Sequence, residues 1–445
     1  MCAFCENEYL LVLNFNSYLN MKIFVCVGIA LICRCVTAQT DTIYLSTAQA
    51  EDLFIKQNLE LIAEKLNIDV AEAAIVQAKL WPNPTLSIED VNLWNTEEMR
   101  DEMGDIFPDA SFARNKQFSV GIEQIIVTGG KRRKLVEMEK VSRDIAVQYY
   151  EELLRSLKVE LRNTCAEMLF LQDYRKVLEK QRGMLDALIG NYRRQVEQGN
   201  VSQSEYLRLQ AELLGTRSEI NDMQKDMNEQ QKNLKMLLNI STTSHIVLTA
   251  TVINTKPPEE ISYSTLFDMA NTSRPDLKEA MFQKDFSEKT LCYEKAQQTP
   301  DLAFSAAYDR AGGVVRNYWG FGLSMDVPFF NRNQGNIRAA QISIQQTQTL
   351  LEHKQLEVHN EVVHAMQNYT LAYNFNREIA DGFISDLDEM LGSYNRNFIA
   401  KNIGIVEFLD FFEAYRGNRQ TVLETQKDVK VSFEELQYAV GTEIQ

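Results

Sequence analysis

GNYRRQVEQGNVSQSEYLRLQAELLGTR, residues 190–217, returns 202 positions later as GSYNRNFIAKNIGIVEFLDFFEAYRGNR, residues 392–419. The alignment runs on without a gap to residues 240 and 442, pairing Tyr192 with Tyr394, Asn200 with Asn402, Glu205 with Glu407, Gly215 with Gly417, Arg217 with Arg419 and Leu234 with Leu436. A gapless match of this length implies duplicated architecture. Turn-forming residues in the middle of each copy, Gln198-Gly199-Asn200 and Lys401-Asn402, predict that each half folds as a helical hairpin.

Proline placement supports long helices. Prolines stand at 82, 84, 108, 257, 258, 275, 300 and 328, so Asp109 to Lys256 and Phe329 to Gln445 contain none and are free to be almost wholly helical. Leu154, Leu157, Leu161, Cys165, Met168 and Leu171 recur in steps of three or four, one apolar stripe of a helix. A helix from Arg132 to Glu197 would be roughly 100 Å long at about 1.5 Å per residue. A second is expected from Ser202 to Leu238, and shorter ones from Thr47 to Leu80 and from Tyr263 to Gln298.

Between the short and long helices the period changes to two. Trp319, Phe321, Leu323, Met325 and Val327 alternate with Gly320, Gly322, Ser324 and Asp326. Phe118, Val120 and Ile122 alternate with Ser119, Gly121 and Glu123 in the same way, Leu86 and Ile88 open a third run, and Leu302, Phe304 and Tyr308 mark a fourth. Large apolar groups on one face and small or acidic ones on the other suit lipid outside and water inside, and equally the half-buried strands of a soluble sheet. A signal peptide at Met21 to Ala38 and the lack of any other membrane segment favour lipid. Trp81, Trp94 and Trp319 sit at or beside the ends of these runs, where a membrane-interface belt belongs. Four strands cannot close a barrel, and an open edge in lipid leaves backbone groups unpaired, so several copies must share one barrel.

Composition narrows the function. The 445 residues carry 46 basic and 62 acidic side chains, a formal charge of -16, which disfavours nucleic-acid binding because phosphate needs basic patches. Met21 to Ala38 reads as a signal peptide, with Lys22, an apolar run from Ile23 to Cys33 and a small-residue cleavage site at Val36-Thr37-Ala38; residues 1–20 read as an upstream extension. Five of the seven cysteines lie at or before residue 35, leaving Cys165 and Cys292 and no disulfide framework. Downstream there is no apolar run of about 18 residues for a transmembrane helix, so membrane contact falls to the strands.

The ordered segments Ala78 to Leu86 (AKLWPNPTL), Gln124 to Lys134 (QIIVTGGKRRK), Arg274 to Leu277 (RPDL), Pro300 to Leu302 (PDL) and Pro328 to Gly335 (PFFNRNQG) resemble the TolC family of outer-membrane efflux channels from about residue 45 onward. The PFFNRNQG form is most similar to its CusC and CzcC heavy-metal branch. The resemblance implies a mainly α fold with a small membrane β-barrel: a homotrimer with one twelve-strand barrel, continued by a periplasmic tunnel of long helices. It also implies an exit duct serving a periplasmic adaptor and an inner-membrane pump. The units it suggests are residues 1–38 (extension and signal peptide), 39–256 (helix, strand pair 84–127, hairpin 131–240) and 257–445 (helix, strand pair 300–328, hairpin 332–442).

Glu407 and Asp410, three apart on one helical face, match the acidic pair that in the family forms rings at the closed periplasmic tip, with Glu205 as the repeat partner of Glu407. Three copies converging on an axis would repel one another and favour cations. A latch arginine of some relatives falls at Ile403 here. Gly199, Asn200, Lys401 and Asn402 are the expected adaptor-docking tips. His353, His359 and His364 do not share one helical face, and the acidic stretch with Glu97, Glu98, Asp101, Glu102, Asp105 and Asp109 reads as a solvated loop. Gly129-Gly130-Lys131 lacks the rest of a phosphate-binding loop and reads as a strand-to-helix turn. No nucleophile and base pairing, cofactor motif or metal-ligand set stands out, which argues against an enzyme. The competing expectations are a soluble periplasmic adaptor or coiled-coil scaffold, and a channel for type I protein secretion.

Overall fold

The computed structural model describes residues 41–92, 117–249, 255–310, 317–380 and 382–444; the signal peptide, Trp94 and the acidic stretch lie outside them. The chain begins with strand β1 (Thr42–Ser46) and helices α1 (Thr47–Gln57) and α2 (Leu59–Ala78). Strands β2 (Thr85–Asn92) and β3 (Gln117–Ile126) lead into α3 (Lys131–Glu197), which is 67 residues long, and α4 (Gln203–Leu238). After β4 (His245–Thr249) the sequence of elements recurs: α5 (Tyr263–Ser273), α6 (Pro275–Ala296), β5 (Leu302–Arg310), β6 (Tyr318–Met325), α7 (Gln334–Glu378), α8 (Phe383–Ile399) and α9 (Ile405–Val440).

The expected short helices each divide in two, and the cause is local. Asn58 accepts from the Leu61 backbone N–H at 2.9 Å as an N-cap, so α2 starts afresh there. In the second half, Pro275 opens α6 and holds Arg274 extended. Asn58 and Arg274 have nearly the same backbone, φ -62° ψ 120° and φ -63° ψ 120°, and each side chain donates to a carbonyl near a hairpin's end, Leu237 at 3.0 Å and Ala439 at 2.9 Å. Leu237 and Ala439 are again 202 positions apart.

The span expected to be one proline-free helix up to the second turn is also broken. The α7 helix stops at Glu378, Ile379 is extended, and Gly382 at φ +85° starts α8 in the left-handed region that favours glycine. The equivalent stretch of α3 runs through unbroken.

A third departure is the parallel pair β1 and β4, in register from Thr42 with His245 to Ser46 with Thr249. Five-residue strands about two hundred positions apart leave little periodic signal. Two helical glutamines close the outer edge of β4. Gln172 accepts from Leu248 N–H at 3.1 Å and donates to its carbonyl at 3.0 Å, while Gln231 accepts from Ile246 N–H at 3.0 Å and donates to its carbonyl. Side-chain amides thus take the place of a missing strand.

The main core is a continuous stripe of buried side chains from α3, α4 and α9, including Leu161, Met168, Leu178, Leu185, Leu209, Leu234 and Phe412. Cys165 lies within it and Cys292 is exposed, neither in a disulfide. A second cluster joins α5, α7 and the end of α9 through Leu266, Val358, Val362, Tyr369 and Leu436.

Candidate functional site

The four strands β2, β3, β5 and β6 form one antiparallel sheet in that order. Register places Leu86 beside Ile122, Ile122 beside Ala306 and Ala306 beside Phe321, and likewise Ile88, Val120, Tyr308 and Trp319 in a row. One face is therefore the apolar set read from the alternation, and it is bare: Leu86 is 66 %, Phe321 84 % and Leu323 63 % exposed. The opposite face carries Ser87, Gly121, Ser305, Gly322 and Glu123. At one end of the apolar face Phe118, Tyr308 and Trp319 cluster, with ring centroids 6.2 and 5.1 Å apart. Trp81 lies at the other end, just before β2, with the Arg132 guanidinium 4.0 Å over its ring. Two strands, of 9 and 10 residues, match the roughly 9–11 residues a tilted strand needs to cross a bilayer, and the outer two, of 8 each, come within one residue of it. Among the described residues, both outer strands keep unpaired edges.

At the helical end of the sheet the turns are tied down. Thr128 donates its backbone N–H to Asp301 at 2.9 Å, and Lys131, almost buried, pairs with the same carboxylate at 2.9 Å. The Gly129-Gly130 turn joins β3 to α3. The first turn of α3 reads Lys131, Arg132, Arg133, Lys134 with no acidic residue, against the preference of the positive helix end for anions.

The two hairpin turns lie side by side at the far end. Tyr192 of α3 stacks on Phe398 of α8 at 5.3 Å, Phe398 on Phe408 of α9 at 4.4 Å, and Phe408 and Phe412 follow at 5.5 Å. Tyr394 stacks on Phe411 at 4.1 Å. The turns share one geometry: Asn200 N–H donates to the Gln195 carbonyl and Asn402 N–H to the Asn397 carbonyl, both at 2.9 Å, with Gly199 at φ +74° and Lys401 at φ +60°. These are left-handed helix ends of the Schellman kind. A side chain costs free energy in that region and glycine does not, so Lys401→Gly is expected to stabilise the second tip by up to about 1 kcal/mol. Gly199→Ala should weaken the first tip by a similar amount, both read by hydrogen exchange of the turn amides; opposite signs at the two sites are required.

Glu407 sits in the first turn of α9 and Asp410 one turn on; both are exposed and have no ion-pair partner among the described residues. Glu205 is half-buried in the first turn of α4 near Tyr192, whose phenol is pushed up to about 12 by burial and by that carboxylate. Ile403 packs against the core. Higher up, Asp388 of α8 accepts from Lys180 at 2.8 Å and Tyr415 at 2.6 Å, linking α8 to α3 and α9; burial opposes its ionisation, but these donors hold it below the usual carboxylate range. Of the histidines, His359 packs edge-on to Phe267 at 4.9 Å and His364 meets Asn368 at 3.2 Å.

The family model for the outer membrane efflux protein matches residues 52–239 and 266–442. The chain belongs to the outer membrane efflux protein family. It is a mainly helical efflux channel protein of the outer membrane. The nickel-cobalt-cadmium resistance protein NccC of Alcaligenes xylosoxydans xylosoxydans is 20 % identical over 336 residues, covering 75 % of this chain and 72 % of NccC. The fold is similar to that of CusC, with TM-score 0.70 and 17 % identity over 90 % of this chain and 94 % of CusC. It is also similar to the CmeC outer membrane channel of Campylobacter jejuni, with TM-score 0.72 and 14 % identity over 89 % and 85 % of the two chains.

The efflux channel protein contains features that periodicity did not reveal: the glutamine clamp on β4, the aromatic stack joining the tips, and Arg274. The last had a signal in the sequence, since a charged residue directly before a helix-opening proline stands where the first half has a capping Asn58.

Proposed function

We propose that three copies close their sheets into one twelve-stranded barrel and their hairpins into a periplasmic tunnel. The subunit is then the passive exit duct of a tripartite system fed by a periplasmic adaptor and an inner-membrane pump. The observation that carries this reading is the four-stranded sheet with a bare apolar face and two open edges, which in lipid is tolerable only when the edges pair with further copies. Exposed Leu59, Leu66 and Val70 on α2 and Leu356 and Leu371 on α7 supply apolar area for contacts between helical bodies. The likeness to NccC favours heavy-metal cations as cargo.

In this assembly the chain divides into units 39–256 and 257–445, and Trp81 and Trp319 sit at the two membrane interfaces. Gly199, Asn200, Lys401 and Asn402 form the adaptor-docking tips. Glu407 and Asp410 line the tunnel constriction, with Glu205 behind them. Removing six of these carboxylates per trimer lowers the local negative potential. Replacing Glu407 and Asp410 with Ala is therefore expected to raise single-channel conductance in planar bilayers and to reduce cation selectivity several-fold. Unchanged conductance would remove both residues from the gate, and a protein that stays monomeric and water-soluble without detergent would overturn the duct itself.

A further inference from the structure

We infer that the outer surface of the sheet-to-helix junction binds the headgroup of an anionic glycerophospholipid in the periplasmic leaflet of the outer membrane. The inference rests on the barrel reading above and adds a ligand that the reading does not require.

Strand register brings Thr85, Ile126, Leu302 and Met325 to one end of the sheet, so the segments flanking them share one level. Cations collect there in a chain of net charge -16: Lys79, Arg132, Arg133, Lys134, Arg332 and Arg338. Lys79, Lys134, Arg332 and Arg338 have no ion pair among the described residues, and Arg133 reaches only Glu137, at 3.8 Å with both side chains exposed. Of the carboxylates near this level, Asp326 is exposed directly after β6 and continues the polar set of its alternation, and three others are committed or face elsewhere. Asp301 holds Lys131 and the Thr128 amide, Glu294 accepts from Asn333 at 2.5 Å, and Glu123 lies on the polar face of the sheet. The cations therefore form a positive collar in which, among the described residues, only Arg133 reaches a carboxylate, the exposed Glu137.

The collar is continuous with an apolar rim. Leu80 and Trp81 are 56 % and 55 % exposed, Phe329 and Phe330 67 % and 89 %, and the bare sheet face begins directly beyond them. A headgroup phosphate is the anion that arrives with acyl chains attached, so it satisfies both halves of this surface at once. An acidic peptide would neutralise the cations but would leave the adjoining wall uncovered. Guanidinium groups suit the phosphate oxygens, and the Arg132–Trp81 stack fixes one of them at the level of the rim.

The test uses full-length trimers, checked as heat-modifiable, in nanodiscs of phosphatidylcholine with a minor fraction of phosphatidylglycerol. Lipids retained by the protein are counted by native mass spectrometry. Wild type is expected to enrich phosphatidylglycerol about fivefold or more over the bulk mixture, and Arg133→Gln/Lys134→Gln/Arg338→Gln to fall to the bulk ratio. Lys176→Gln/Lys225→Gln, which removes two exposed cations of the helical body, should keep the wild-type enrichment. Because the altered side chains are exposed or, for Lys134, half-buried with no ion pair among the described residues, trimers of each variant should form; a charge reversal, Lys134→Glu, is the second probe and should also abolish the preference. Wild-type trimers without a preference, or a triple variant that retains it, overturn the lipid site alone. Protein that never forms trimers overturns the barrel reading and the site with it.

Discussion

Replacing Arg274 with Ala is expected to destabilise the helical body by about 3–5 kcal/mol, the range for removing one partner of a buried ion pair. Arg274 is 1 % exposed, and its guanidinium holds Asp276 at 2.6 Å, Glu361 at 2.7 Å and the Ala439 carbonyl at 2.9 Å. It thereby joins α6, α7 and the end of α9. Its removal leaves Asp276 with the Leu277 backbone N–H at 3.0 Å and with Arg155 and Lys354 at the longer distances of 3.6 and 3.8 Å.

The pH dependence follows. Burial opposes ionisation of Asp276, but Arg274, with Arg155 and Lys354, holds its carboxyl below the usual range. A carboxyl with a depressed folded value stabilises the protein above the unfolded pKa, and that contribution is lost as pH falls through the folded one. Without Arg274 the burial effect gains weight, so the acid-unfolding midpoint of the variant should move to higher pH. Denaturant unfolding followed by helical circular dichroism across pH measures both effects. Asn58→Ala, at the equivalent place in the first half, removes a neutral cap and should cost only about 1–2 kcal/mol. Equal costs at the two positions would show that the charge network adds nothing.

Phe408→Ala should be nearly as damaging, but locally. The Phe408 ring is fully buried between Phe398 and Phe412, and truncating such a ring costs about 3–5 kcal/mol through lost transfer energy and the cavity left behind. Through Phe398 the stack is also what ties Tyr192, and hence the first hairpin, to the second. The expected outcome is accelerated hydrogen exchange and protease cleavage around residues 196–204 and 398–408, while trimers still form. A second readout is the Tyr192 phenol, which should fall from about 12 toward its ordinary value of about 10 as the tip opens, read by ultraviolet titration against a Tyr192→Phe control. Unchanged exchange at both turns would mean that the tips are held by something other than this stack.

The order of elements was legible because it rests on one-dimensional signals. Period-three-to-four stripes place α3 and α4, period-two alternation places the strands and names the bare apolar face, and the 202-residue repeat locates both turns. The gate and docking candidates were reached only by alignment with that repeat and a family resemblance. The structure adds that Glu407 and Asp410 are exposed on the first turns of α9, whereas Glu205 is half-buried under Tyr192.

Features that depend on partners far along the chain were not legible. The break at Ile379 to Gly382 has no proline to announce it, and β1 finds β4 about two hundred residues away. Gln172 and Gln231 look like ordinary polar positions on helices until the exposed edge of β4 is set beside them. By itself the sequence determined duplication, rods and an amphipathic sheet, because each follows from local periodicity or from internal repetition. Only the tertiary structure decided the long-range ties: a buried arginine within the second half, two edge-closing glutamines within the first, and an aromatic stack that joins the two. Their partners are set by distance in space, for which spacing along the chain carries no signal.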